Sequence, residues 1–297
     1  MASNVKVLLV TEPTAISEDT YERALALVDV VSRERCGRFY HRADSYRCLI
    51  GRLLPRVLLA REGVSPESIS FAETPSRKPY IATPKLSPPL AFNVSHDNEL
   101  VGIAYARGER ENIGLDLMRV SRPRGTSYAS FVESVGEALS AKETKALLST
   151  TTPQAESWRR FYRIWTTKEA YTKALGLGLG FDFARIDCSF PSAVSGTPPA
   201  SPQKAAEFHS GAIPLADNTP LSISALEEEE DRVLVDGVPP HGWEFRTLAL
   251  TVAGESYEIV AARAGGNSPF AMHPIDPRDA EVVRAQSFLE EALRLLS

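Results

Sequence analysis

Apolar and polar residues recur along the chain with two different periods, and the switches between them mark the expected elements. The short run Val5 to Val10 reads as a first β-strand; it is too brief for a secretion signal, and acidic residues follow it. Residues 20–60 carry apolar residues at helical spacing among many arginines, which predicts two helices with a break near Gly37 and an end at Pro55. ISFAE reads as a short strand before the turn-like TPSRKPYIA. LAFNVSHDNELVGIAYAR alternates about a polar turn and predicts a β-hairpin, and IGLDLMRV predicts another strand. Helical spacing returns over 130–149 and again in SWRRFYRIWTTKEAYTKALG, whose glycine is an expected stop. GFDFARIDCSF then has strand character, and GWEFRTLAL with SYEIVAARA predicts a second hairpin.

The order strand, helices, strands, hairpin thus occurs twice. That predicts an α+β fold of two similar α/β halves, residues 1–112 and 113–265. The Pro/Ser-rich segment and the EEEED run make residues 191–235 an expected flexible insertion in the second half. Residues 266–297 read as a linker followed by an amphipathic helix, DAEVVRAQSFLEEALRLLS.

Composition narrows this picture little. With 43% hydrophobic residues among 297, a core of normal size can form. The net charge of -5 gives no reason to expect nucleic-acid binding, so any phosphate must be held by local basic clusters. No apolar run approaches membrane-spanning length, so no membrane partner is expected. Three cysteines without a CxxC spacing fit a reducing compartment, and a cytoplasmic protein is expected.

Chemistry enters through a few residues. On the long helix, Phe161, Ile164, Tyr171 and Leu175 share an apolar stripe, and Lys168 occupies a place within it. Glu169 and Lys173 lie beside the stripe; on spacing alone they read as an exposed i,i+4 pair. Asp116 stands among Ile113, Leu115 and Leu117, where a carboxylate is costly unless paired, hydrogen-bonded or metal-bound. With Glu169 it offers two oxygen ligands of the kind that suit magnesium. Ser95 and His96 follow a strand and can donate to phosphate, and SRKPY sets two cations beside a proline. Arg33, Arg35, Arg38, Arg42 and Arg47 cluster on the first helical region, where arginine suits bidentate phosphate contacts. Taken singly, each of these features reads equally as a solvated face or a turn.

Their order along the chain is more specific. An arginine-rich helix, then RKPY, NVSH, GLDLM and FYRIWTTKEAYTK resembles the 4'-phosphopantetheinyl transferases of the surfactin-synthetase-activating type over roughly residues 20–190. A weaker echo lies near 243–264. The resemblance implies a pseudo-twofold monomer with coenzyme A, the co-substrate, in a cleft between the halves. It implies that Arg35, Arg47, Lys78, His96 and Lys173, helped by Ser95, hold the phosphates, and that Pro79 and Lys168 belong to the same site. Asp116 and Glu169 would bind magnesium, or manganese in its place, and Glu169, Asp116 and Lys173 would carry the catalysis. The implied reaction moves phosphopantetheine onto a serine of an apo acyl-carrier or peptidyl-carrier domain. Such domains belong to fatty-acid, polyketide or nonribosomal-peptide synthases, or to aminoadipate reductase.

One position departs from many bacterial members, which carry a third carboxylate two residues after the aspartate. Met118 stands there, as in members similar to the eukaryotic aminoadipate-reductase activators. Two protein ligands and a water are therefore expected around the metal. The residues by themselves also permit a non-catalytic carrier- or coenzyme-binding module, or another magnesium-dependent, pyrophosphate-cleaving enzyme.

Overall fold

The computed structural model describes residues 5–108, 112–190, 213–214, 220–221, 223–224, 232–265 and 270–297. The expected insertion at 191–235 lies largely outside the described residues.

The first half opens with β1 (Lys6–Thr11), then α1 (Glu18–Leu25), α2 (Val30–Gly37) and α3 (Arg42–Arg61). Three helices thus form where two were expected. Asp29 makes the extra break, because its carboxylate accepts the Ser32 amide and caps α2. Pro55 does not end α3 but lies inside it. A mid-helix proline costs about 3 kcal/mol. Leu53, Leu54, Val57 and Leu59 around it are completely buried. Each such burial contributes roughly 1.5–3 kcal/mol, so the helix continues. β2 (Ser70–Glu73) and β3 (Pro79–Thr83) form a small hairpin. β4 (Leu90–Asp97) and β5 (Leu100–Arg107) form the expected larger one, turning at Asn98 and Glu99.

The second half begins with β6 (Asn112–Arg119), followed by α4 (Tyr128–Ser134), α5 (Ala141–Leu147) and the long α6 (Gln154–Leu175). β7 (Ile186–Ser189) comes next, then the two-residue strands β8 (Ile213–Pro214), β9 (Pro220–Leu221) and β10 (Ile223–Ser224), and β11 (Arg232–Val235), which pairs with β7. β12 (Trp243–Val252) and β13 (Glu255–Ala264) are the second expected hairpin, turning at Ala253 and Gly254.

The C-terminal segment differs from its reading as linker and helix. After β14 (Ala271–Pro274), residues Ala280–Arg284 form a strand, β15, and only Ala285–Leu296 form a helix, α7. A short apolar run fits either period. Its partner decides: β15 pairs in parallel with β1, an element of the other half. Arg61 of α3 then holds both Glu281 of β15 and Glu291 of α7.

Four layers result. The sheet β15-β1-β5-β4 carries α1, α3 and α7 on one face, over Leu8, Val10, Val101 and Ile103. Its other face, with Val7, Leu9 and Ala104, packs against Leu115, Leu117 and Ile259 of the second sheet, β10-β12-β13-β6. The outer face of that second sheet lies under α6. Strand alternation on β6 therefore sends Ile113, Leu115 and Leu117 into the inter-sheet core and Gly114, Asp116 and Met118 toward α6. The fold is α+β with two similar halves, each a sheet backed by helices. No helix among the described residues is long and apolar enough to cross a membrane.

Candidate active site

The site begins at a close contact. A Cβ on Gly114 would lie 1.9 Å from the Ala170 carbonyl oxygen and 2.4 Å from the Ala174 nitrogen. Only glycine on β6 and small residues on α6 let the two backbones approach this far. Asp116 is two residues further along the same face of β6, and Glu169 and Lys173 immediately precede Ala170 and Ala174 on α6. The contact thus delivers one carboxylate of the strand beneath two charged groups of the helix.

Asp116 is buried. Its Oδ1 accepts from Lys173 Nζ at 2.6 Å and from Ser95 Oγ at 3.2 Å. Its Oδ2 is equally buried and has no hydrogen-bond partner. Burial raises the Asp116 carboxyl above the usual carboxylate value, with Lys173 and Ser95 pulling it back. Glu169 is also raised, first by burial and then by the negative charge of Asp116. Among the described residues no hydrogen-bond donor reaches the Glu169 carboxylate, and no group of three or more His, Cys, Asp and Glu is arranged to hold a metal. Two neighbouring carboxylates, one with an orphaned buried oxygen, form a site short of positive charge.

Ser95 arrives through the edge of the first sheet. Alternate residues of β4 reach across to β6: Asn93 Oδ1 accepts the Leu115 amide at 2.8 Å and Asp97 Oδ2 accepts the Arg119 amide at 2.7 Å. These side chains satisfy edge amides that no strand pairs. Ser95 lies between them and is held against Asp116. The carboxylate site is therefore assembled from both halves.

His96 points the opposite way, into a cleft of about 300 Å³ on the first half. The surrounding protein, then the charges of Arg47 and Lys173, hold its pKa below the usual histidine value. Arg35 of α2, Arg47 and Arg52 of α3, and Arg77 and Pro79 at the β2–β3 turn line the same cleft. Arg47 is anchored by Asp44 at 2.6 Å and by the Asn98 carbonyl at 2.9 Å. Arg35, Arg52 and Arg77 have no ion-pair partner among the described residues. Asp29, which pairs with Arg56, and Glu73 also line the cleft, so the arginines outnumber the carboxylates and suit an anionic ligand with more than one phosphate.

Of the residues expected from the sequence, the fold brings Arg35, Arg47, Pro79 and His96 to the cleft, and it gathers Ser95, Asp116, Glu169 and Lys173 into a separate group whose Lys173 is near enough to His96 to shift it. Lys168 is elsewhere. It is wholly buried, its ammonium bonded to Glu143 at 2.6 Å, the Ala138 carbonyl at 2.9 Å and the Phe183 carbonyl at 3.0 Å. All three of its donors are taken, so it cannot also hold a coenzyme phosphate. Lys78 is a second correction. Its ammonium donates to the Ile113 and Ala174 carbonyls, both at 2.8 Å, so it clamps the start of β6 to the end of α6. Burial pushes it down to about 8. Its neighbours Arg77 and Pro79 face the cleft instead, as alternation requires.

Arg33, Arg38 and Arg42 are also structural: Arg33 caps backbone carbonyls, Arg38 pairs with Glu34, and Arg42 pairs with Glu18 and Glu22. Arg52 was missed, and Arg77 was noted only as one of the two cations of SRKPY. A signal for Arg52 existed: Arg47, Cys48, Gly51, Arg52, Pro55 and Arg56 occupy one face of α3, and all line the cleft.

The family model described as 4'-phosphopantetheinyl transferase superfamily matches residues 112–223, and one described as 4'-phosphopantetheinyl transferase, N-terminal, matches residues 14–107. A 4'-phosphopantetheinyl transferase of Paxillus involutus is 36% identical over 285 residues, 93% of each chain. The mouse L-aminoadipate-semialdehyde dehydrogenase-phosphopantetheinyl transferase is 31% identical over 170 residues, 55% of this chain and 53% of the relative. A 4'-phosphopantetheinyl transferase of Bacillus subtilis is 33% identical over 165 residues, 55% of this chain and 67% of the relative. The two family models meet where β4 and β6 build the carboxylate site together, and with a fungal relative matching nearly end to end they establish that the chain is an enzyme of the 4'-phosphopantetheinyl transferase superfamily.

Proposed function

We propose that this enzyme takes 4'-phosphopantetheine from coenzyme A and places it on a serine of an apo acyl-carrier or peptidyl-carrier domain, releasing adenosine 3',5'-bisphosphate. One observation carries the reading: the cleft lined by Arg35, Arg52 and Arg77, none of them ion-paired among the described residues, also holds His96, which feels the charge of Lys173 in the Asp116–Lys173–Glu169 group. Such a cleft suits the phosphates of the nucleotide. The pyrophosphate would then reach the carboxylate end, where the bond changes occur.

The donor set there fits a divalent cation. Asp116 Oδ2 is buried without a partner, and Glu169 is held near it with its carboxylate unengaged. Asp116 and Glu169 would hold magnesium, which binds through one or two carboxylates and completes its shell with water and substrate phosphates. Bound there, it would offset the negative charge that grows on the departing phosphate. Met118 adds no ligand, so water completes the count.

The chain's own residues do the rest. Lys173 fixes the Asp116 carboxylate and, with the cleft arginines, brings positive charge to the pyrophosphate. In the transfer the serine oxygen bonds to the β-phosphorus of coenzyme A, and the bond from that phosphorus to the bridging oxygen breaks. Glu169 accepts the serine proton. Its raised pKa makes it a stronger base than an ordinary carboxylate, provided the working pH stays above that pKa. One chain builds both cleft and carboxylate site, which supports a monomer. The free thiols of Cys36, Cys48 and Cys188 support a reducing compartment such as the cytoplasm.

Homologues named for aminoadipate-semialdehyde dehydrogenase make the carrier domain of aminoadipate reductase the first substrate to try. The test incubates the protein with coenzyme A, magnesium and an apo-carrier domain and reads the carrier's intact mass. A gain of one phosphopantetheine, lost without magnesium and lost in Glu169→Ala, is expected. Coenzyme A binding without any gain on several unrelated carriers would mean a binding module instead. Coenzyme A cleavage without a carrier would mean a pyrophosphate-cleaving enzyme.

A further inference from the structure

Two of the cysteines lie at the arginine cleft, and the transfer reaction uses neither. Cys48 is half-buried on the α3 face that lines the cleft. Cys36 lies behind it on α2, fully buried. The two thiols are near enough to influence each other's ionisation, and both side chains belong to the same packed cluster. Ser45, one turn before Cys48, donates its hydroxyl to the Cys36 carbonyl at 2.8 Å, which pins the two helices together at this point.

The surroundings of Cys48 favour a thiolate. The Cys36 thiol favours ionisation, burial opposes it, and the Arg52 and Arg35 guanidinium groups favour it. The net effect brings Cys48 down to about 7, against about 8.5 for a free cysteine. Arg52 also hydrogen-bonds the sulfur. Asp29 and Glu73 are the acidic groups that share the cleft, and Asp29 is engaged by Arg56 at 2.7 Å. The proton stays on Cys36, whose thiol is raised by Cys48 and by burial. Cys188 is the contrast: wholly buried beside Glu143, it is raised well above the ordinary thiol value. A half-buried thiolate that lines a cleft beside cations, backed by a second thiol, is the arrangement of a reactive cysteine pair.

We propose that Cys48 is a modification site for low-molecular-weight disulfides, and that Cys36 is its resolving thiol. The Cys48 thiolate attacks one sulfur of a disulfide RSSR. A Cys48–SR bond forms, the S–S bond of the reagent breaks, and RS⁻ leaves and takes up the proton Cys48 gave. Cys36 then loses its proton and attacks the Cys48 sulfur. A Cys36–Cys48 disulfide forms and a second RSH departs. The two protein thiols are oxidised and one disulfide is reduced to two thiols. The first adduct occupies the cleft, so it blocks an anionic ligand from Arg35, Arg47 and Arg52; that consequence rests on the function proposed above.

The test uses the full-length protein and glutathione disulfide, with intact mass and peptide mapping as the readout. The wild type should lose two hydrogens across Cys36 and Cys48 with a transient glutathione adduct on Cys48 alone. Cys36→Ser should keep the adduct on Cys48, and Cys48→Ser should gain none. An adduct first on Cys36 or Cys188, or no accumulation in Cys36→Ser beyond the wild type, overturns the proposal. Because Cys36 is a core residue, iodoacetamide labelling of Cys48 in the unaltered protein gives a second test. Its rate should reach half-maximum near pH 7, and a midpoint at about 8.5 or above overturns the proposal. Coenzyme A binding is then compared between the reduced protein and the Cys48 adduct. Failure of the reduced protein to bind would sink the transferase reading and leave the thiol result standing.

Discussion

Two ion pairs on α6, five residues apart, have the same 2.6 Å length and opposite purposes. Lys168 and Glu143 are both fully buried, at 0% exposure. Glu143 also accepts the Ser140 and Cys188 amides, so neither partner has capacity left. Lys173 and Asp116 are 27% and 7% exposed, and Asp116 keeps one oxygen unbonded. A saturated pair closes the space between α5, α6 and the loop before β7. An unsaturated pair at a cleft has room for a ligand. Distance does not tell the two pairs apart; exposure and unused bonding capacity do.

The sharpest way to break the comparison is to exchange its consequences. Glu169→Ala should lower carrier modification at least about a hundredfold, the range of a lost general base. Its thermal stability should hold or rise, because a carboxylate beside Asp116 is removed. Near-normal turnover in a carrier mass assay would remove Glu169 from the mechanism. Lys168→Met should do the reverse. Leaving Glu143 buried and unpaired costs about 3–5 kcal/mol in urea unfolding, while transfer per folded molecule persists. A variant that is stable but inactive would put Lys168 back in the site.

Gly114→Ala tests the contact that brings Lys173 to Asp116. The new methyl has no space against Ala170, and the variant should lose about 3 kcal/mol of stability together with activity. Loss of neither would mean that α6 is free to move away from β6.

A third pair on α6 is an intermediate case. Glu258 of β13 is buried and meets Arg159 at 3.2 Å. Burial outweighs Arg159 and Arg163, and it titrates at about 7 instead of 4.5. Between those values the folded protein keeps a proton that the unfolded chain has released. Stability should therefore fall as pH rises through this window, by roughly 3 kcal/mol in all at about 1.4 kcal/mol per pH unit. Glu258→Gln should remove that slope, matching the wild type near pH 4.5 and exceeding it at pH 8. A difference that is equal at every pH would show that Glu258 is not the titrating group.

The smallest effect concerns Met118, which stands opposite Glu258 in the β6–β13 register. Met118→Glu places a carboxylate facing Glu258 and beside Asp116, which is unfavourable without a cation. Magnesium should therefore raise the melting temperature of this variant by more than it raises that of the wild type. Equal shifts would place the metal away from this strand.

Much of the site was legible before any fold was known. An aspartate amid Ile113, Leu115 and Leu117 has to be paired, and Asp116 is. On spacing alone Glu169 and Lys173 read as an exposed pair; the resemblance grouped them with Asp116, and the fold does bring the three together. Lys168 was assigned to the phosphate site through the resemblance, and its place in an apolar stripe does not tell a ligand contact from a buried pair. Its partner Glu143 is 25 positions away, where no local pattern reaches. Lys78 was misread for the same reason, because the carbonyls it binds belong to β6 and α6. SRKPY offered both Arg77 and Lys78 as cations, and their alternation decides which of the two meets the cleft.

By itself the sequence determined most of the strands and helices, the two larger hairpins, the repeated order of elements and the kinds of group available for chemistry. Those follow from periodicity and local sterics, which act over a few residues. Tertiary structure alone decided that β15 closes the first sheet, that α3 runs through Pro55, and which cations face the cleft. Each of these depends on surface buried, or bonds saturated, between residues far apart in the chain, so their energies have no local signature.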